Sequence, residues 1–195
     1  MNGWPIVGWA ALVIVAASAA TLGAQGAGEE GLRAVIRLTA RTSFVLFTAA
    51  FAASALARRW PGGLTRWLLA NRRQVGVSFA VSHLVHLIAI VVLTRYAVLF
   101  DEPAVIIAVL GYVAIAAMTV TSFDRTAAWL GPRRWRRLHL TAGWFIWGVF
   151  MASYLPRTIL ESPAYAPFVL VLLAVLVVRV RPAPARGYAA AAPSS

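Results

Sequence analysis

Three histidines are the side chains of this chain best placed to do chemistry. His83 and His86 stand three apart in an apolar segment that opens on Arg72-Arg73, and His139 opens a second apolar run. An imidazole is costly inside a hydrocarbon layer, so a histidine within a membrane helix is a candidate functional group. A bis-histidine haem needs two imidazoles from facing helices, at similar depth and on opposite sides of one porphyrin. The plainer alternative is that each histidine bonds a carbonyl or a serine of a neighbouring helix. Zinc would ordinarily add cysteine or carboxylate ligands, and neither segment contains one. Nucleophilic catalysis is poorly served too, because no acid within a helix is available to orient an imidazole.

Arginine supplies the second set of candidates. Arg33, Arg37 and Arg41 follow one another at four-residue intervals, so they project from nearly one helical face. Arg37 and Arg41 fall within an apolar run, where a cation needs a partner. The propionates of haem are carboxylates, which guanidinium groups hold in bidentate geometry. Against that stands snorkelling of both side chains to lipid headgroups, which suits Arg37 better than Arg41. Trp135, Trp144, Trp147 and Tyr154 spread aromatics along one segment, chiefly as interface and packing residues.

The elements that must position these groups are membrane helices. Sixty-one per cent of residues are hydrophobic and 12% charged, and the mean hydropathy is +0.78. A soluble domain carries about a quarter of its residues as charges. In 195 residues, several apolar runs of about 20 leave no room for a soluble catalytic domain. That lack of room excludes a built-in nicotinamide or flavin module, and no GxGxxG pattern is present. The 18 basic residues are all arginine against six acids, and they cluster between apolar runs. That clustering reads as topology signals and headgroup contacts with membrane lipids, not as nucleic-acid binding. The absence of cysteine excludes disulfides, thiolate catalysis and iron–sulfur clusters.

In chain order the runs are Trp4 to Leu22, about Ala34 to Ala57, Gln74 to about Thr94, Ala104 to Ser122, about Leu138 to Leu155, and about Tyr165 to Val178. Loops are expected at Gly23 to Gly31, at Asp101 to Pro103, and in the basic stretch from Phe123 to Arg137. Pro156 is expected to stop the fifth helix. The fold class is thus all-α, a single six-helix membrane domain over residues 1–180 with a disordered tail at 181–195. Arginines 58, 59, 66, 72 and 73, then 125, 133, 134, 136 and 137, then 179, 181 and 186 gather on one side. The other side's loops hold Arg33, Arg95 and Arg157 with five of the six acids. This asymmetry predicts that both termini are cytoplasmic. Helices three and five would then enter from the same side. At about 1.5 Å per residue, His83 lies roughly 15 Å and His86 roughly 20 Å beyond Arg73.

The run Arg72-Arg73-x-x-Gly76-Val77-x-Phe79, followed by His86, resembles the third-helix signature of the ferric reductase-like transmembrane domain family. Thr121-Ser122-Phe123-Asp124, then Leu130-Gly131 and Trp135-Arg136-Arg137-Leu138-His139, resemble its second signature. The likeness is greatest to the haem-binding membrane subunits of bacterial methionine sulfoxide reductase systems. It extends more distantly to the cores of NADPH oxidases and STEAP metalloreductases. The resemblance implies b-type haem between helices three and five, with His86 and His139 at ligand positions. His83 is additional to the pattern. The family usually carries another histidine about 13 residues after the first in helix five, and this sequence has Ala152 there. A two-haem stack is therefore not expected. One haem held by His83 or His86 with His139, a substitute ligand such as Met151, and loss of haem are the three options, in that order.

The function expected is a haem b electron-transfer protein of the bacterial inner membrane. Its electrons would come from a cytoplasmic flavin reductase or a quinol and pass outward to a metal ion or a periplasmic redox partner. Flavin or quinone would thus belong to a partner. A haem-free accessory or assembly protein on the same scaffold is the alternative. A small transporter with a histidine and arginine relay is disfavoured by the lack of intramembrane acids and of an internal repeat.

Overall fold

A computed structural model describes residues 3–96 and 102–181, and among these there are helices and connectors but no strand. The helices are α1 (Pro5–Gln25), α2 (Glu29–Arg59), α3 (Gly63–Ala70), α4 (Arg72–Leu93), α5 (Glu102–Val120), α6 (Asp124–Leu130), α7 (Pro132–Leu160) and α8 (Ala166–Val180). A 3₁₀ turn at Pro163–Tyr165 leads into α8, capped by the Ser162 hydroxyl accepting from the Ala164 N–H at 3.2 Å. The expected tail lies outside the described residues from 182 onward, as does residue 101 of the expected acidic turn.

Among the described residues five helices, α1, α2, α4, α7 and the turn-plus-α8 unit, are long and apolar enough to cross a membrane. A sixth crossing requires counting α5 together with α6, and those two are bent by 104° at their junction. This is the pattern of a multi-pass membrane protein. Each of the six apolar runs in the sequence coincides with one of α1, α2, α4, α5, α7 and α8.

The basic connectors differ from expectation. The stretch 123–137 is not a loop: it contains α6 and the first turns of α7. Gly131, at φ +77°, turns the chain, and Pro132 occupies the first helical position, where its missing N–H costs nothing. Arginine is itself a good helix former, so Arg133 to Arg137 continue the helix. Pro156 does not stop α7 either, which runs on to Leu160. It removes the N–H that would reach the Ala152 carbonyl, a loss that membrane helices absorb.

Helix α2 is the central element. Val35, Thr39, Ser43, Phe47, Phe51 and Ala55 recur every four residues and are all buried. Arg33, Arg37, Arg41 and Val45 occupy the opposite face and are exposed. The buried face packs most extensively on α4. There the Ser43 hydroxyl donates to Ser82 Oγ at 2.9 Å, and Ser82 Oγ donates to the Thr39 carbonyl at 3.2 Å. Small hydroxylated residues let two backbones approach closely where lipid offers no hydrophobic drive. Phe44, Phe47, Phe79, Phe150 and Tyr154 form an aromatic cluster between α2, α4 and α7. Their ring centroids are spaced 5.3–5.7 Å for the Phe47–Phe150, Phe44–Tyr154, Phe47–Phe79 and Phe44–Phe150 pairs.

Candidate functional site

His86 reaches across to α2. Its Nδ1 lies 3.1 Å from the Ile36 carbonyl and 3.0 Å from Thr39 Oγ1. The Thr39 hydroxyl already donates to the Val35 carbonyl at 2.7 Å, so it accepts from the ring. The imidazole proton is therefore on Nδ1, and Nε2 is the ring's acceptor. A carbonyl fixes the tautomer of metal-binding imidazoles in this way. It is also an ordinary interhelical bond of a membrane bundle.

His83 sits one turn nearer the arginine-rich end and is walled in by rings. Its centroid is 5.1 Å from His86, 5.1 Å from Tyr112 and 5.3 Å from Phe79. Its Nδ1 is buried and has no hydrogen-bond partner. Phe150 approaches edge-on at 6.3 Å.

His139 lies elsewhere, in the second turn of α7. Its Nε2 is 3.0 Å from Thr121 Oγ1, whose hydroxyl donates to the Ala117 carbonyl at 2.7 Å. The Trp135 ring stacks on the imidazole at 4.2 Å, and its Nε1–H donates to the Thr121 carbonyl at 2.8 Å. Thr121, at the corner between α5 and α6, thus secures both side chains. The Thr121 hydroxyl thus engages Nε2 of the ring and leaves Nδ1 outside this contact.

No ring contact or hydrogen bond joins His139 to His83 or His86. Among the described residues there is also no group of three or more histidine, cysteine or acidic side chains able to hold a metal ion. What His139 does share is a cavity of about 630 Å³ at the arginine-rich end. Helices α2, α4, α5, α7 and α8 all contribute to its wall. Its floor is apolar, with Phe47, Phe51, Phe79 and Ile115, and its polar groups include Arg58, Arg72, Arg73, Arg136 and Arg179. No acid lines it. At Gly76 a β-carbon would meet nothing within 4 Å, so the α4 wall stands open there. His83 and His86 are absent from the lining; Phe79, which does line it, packs on His83.

Arg37 and Arg41 do not line this cavity, and both lie on the exposed face of α2. Ala152 is exposed, whereas Phe150 and Tyr154 on either side of it are buried in the aromatic cluster. The residue that sequence reasoning misses is Arg179, which enters it only as a topology signal. Its spacing carries a clue. Val169, Leu172, Val175 and Arg179 recur at helical intervals, and the first three form the buried face of α8. No family model, curated protein or solved structure matches the chain.

Proposed function

We propose that the chain is a haem b-binding electron-transfer protein of the bacterial inner membrane, built on a ferric reductase-like scaffold. The observation that carries this reading is the cavity of about 630 Å³ with His139 and five arginines in its wall. Its size falls within the range of about 300–1,000 Å³ usual for cofactor pockets. The donor set fits haem in kind: one imidazole, an aromatic floor for the macrocycle, and guanidinium groups for two carboxylates. It fits one haem and not a stack of two, because aromatic rings fill the interior around His83 and His86. His139 is the ligand in this reading, its ring oriented by Thr121 and Trp135. Bound haem b supplies a one-electron ferric/ferrous couple. The arginine-rich end faces the cytoplasm under the positive-inside rule. That places the cavity toward a flavin reductase or quinol donor, with a metal ion or periplasmic partner as acceptor.

The accessory-protein reading has one observation in its favour. His86 and His139 each already spend a ring nitrogen on a bundle hydroxyl or carbonyl. A dithionite-reduced minus oxidised spectrum of the protein in mild detergent separates the two readings. A haem Soret band with the broad visible band of iron held by one imidazole is expected, lost in His139→Ala and kept in His83→Ala and His86→Ala. A colourless preparation from cells supplied with haem precursor would overturn the haem reading.

A further inference from the structure

We propose that Arg179 is the anion anchor of the cavity, holding a carboxylate of the bound porphyrin; this rests on the haem reading above. Arg179 enters from α8, the only α8 residue in the lining. Its guanidinium carbon lies 3.8 Å from the Phe51 ring centroid and 5.3 Å from that of Trp144. Nη1 donates to the Phe51 carbonyl. Nε, however, is buried and has no acceptor. A buried guanidinium N–H without an acceptor is costly in an apolar setting, and an incoming oxygen removes that cost.

The surroundings make an anion the fitting occupant. Arg58, Arg72 and Arg136 line the same cavity with no acid among the lining residues. Arg73 is distinguished from them by its pairing with Asp124 at 2.5 Å. Arg33 and Arg157 are likewise paired, with Glu29 and Glu161, whereas Arg179 has no carboxylate partner among the described residues. A flat arginine already laid on Phe51 and Trp144 loses little freedom on binding, and it presents a fork that matches a carboxylate. Arg37 and Arg41, on the outer face of α2, have no such position.

The test compares haem with haem dimethyl ester, whose carboxylates are capped, by absorbance titration of the detergent-solubilised apoprotein. Wild type should bind haem more tightly than the ester. Arg179→Ala should weaken haem binding by at least about tenfold and leave ester binding unchanged, with Arg179→Lys in between. If Arg179→Ala elutes as aggregate on gel filtration, Arg179→Gln, which keeps an amide donor over Phe51, reads the same comparison. Equal loss of haem and ester, or no loss of haem, overturns the proposal. So does a pattern in which Arg136→Ala at the exposed rim abolishes the preference and Arg179→Ala does not. Failure of wild type to bind either porphyrin removes the haem reading itself, which separates the two failures.

Discussion

Thr39 Oγ1 on α2 and His86 Nδ1 on α4 lie 3.0 Å apart. One turn away Ser43 and Ser82 close a second hydroxyl bond at 2.9 Å. These contacts matter because helices in lipid gain nothing from hiding apolar surface from one another. Close backbone approach and polar bonds must hold the pair instead. Thr39→Val keeps the shape and removes one of the two acceptors of His86, leaving the Ile36 carbonyl. It should lower stability by about 0.5–1.7 kcal/mol, the range for interhelical hydrogen bonds in membranes. Unfolding titrations in mixed micelles measure this directly, and a Thr39→Val variant as stable as wild type would show the bond contributes nothing.

Gly31, in the first turn of α2, should tolerate no side chain. A methyl group there would stand 1.8 Å from the Gly26 carbonyl oxygen. Gly26 is itself held at φ +83° in the turn between α1 and α2, so the backbone has little room to retreat. Gly31→Ala is expected to cost at least about 2 kcal/mol, as overpacking against backbone does. Gly28→Ala is the control, since a methyl group there meets nothing within 4 Å. Equal melting temperatures for the two variants would contradict this account of the turn.

Gly143 on α7 is a gentler case. A methyl group would lie 3.0 and 3.2 Å from two ring carbons of Phe51. Phe51 is also the ring beneath Arg179 and stacks on Phe47 at 5.2 Å. Gly143→Ala should therefore cost about 1–3 kcal/mol and disturb the seat of Arg179 as well. Combining it with Phe51→Leu, which makes room, should recover part of the stability. A strictly additive double variant would mean that the two positions do not press on each other.

The helices themselves are legible in the sequence because an apolar run of about 20 residues has few other uses. The basic stretch from 123 to 137 misleads for a physical reason. Arginine reads as polar and loop-like, yet it favours helix, and Gly131-Pro132 begins a helix as readily as it ends one. The shared face of Arg33, Arg37 and Arg41 is also legible, but not which way that face points. That depends on Val35, Thr39, Ser43 and Phe47 claiming the interior. The same limit applies to the histidines. Depth follows from rise per residue, whereas whether His83, His86 and His139 meet depends on the rotation of α4 against α7. That rotation is set by packing of Phe79, Phe150 and Gly143 that no spacing rule supplies. Arg179 stands at a helical interval from Val175, a signal outweighed by the reading of every terminal arginine as topology.

Ala152 is where the resemblance to ferric reductase-like domains calls for a second histidine on α7, so Ala152→His tests whether the missing ligand alone keeps a second haem out. The helix argues that it does not. Phe150 and Tyr154 are buried, and residue 152 stands two residues from each, roughly 200° around the helix. An imidazole at that position would point out of the bundle, away from His86. His86 is in any case bonded to Ile36 and Thr39, while Phe44, Phe47 and Phe150 fill the space between α2 and α7. Under the haem reading, Ala152→His should leave the haem-to-protein ratio and the reduced spectrum as in wild type. A pyridine haemochromogen assay per mole of protein measures the ratio. A second haem appearing in the variant would mean that α7 can turn and the aromatic cluster open, so that the deep half of the bundle is a closed site and not a filled core.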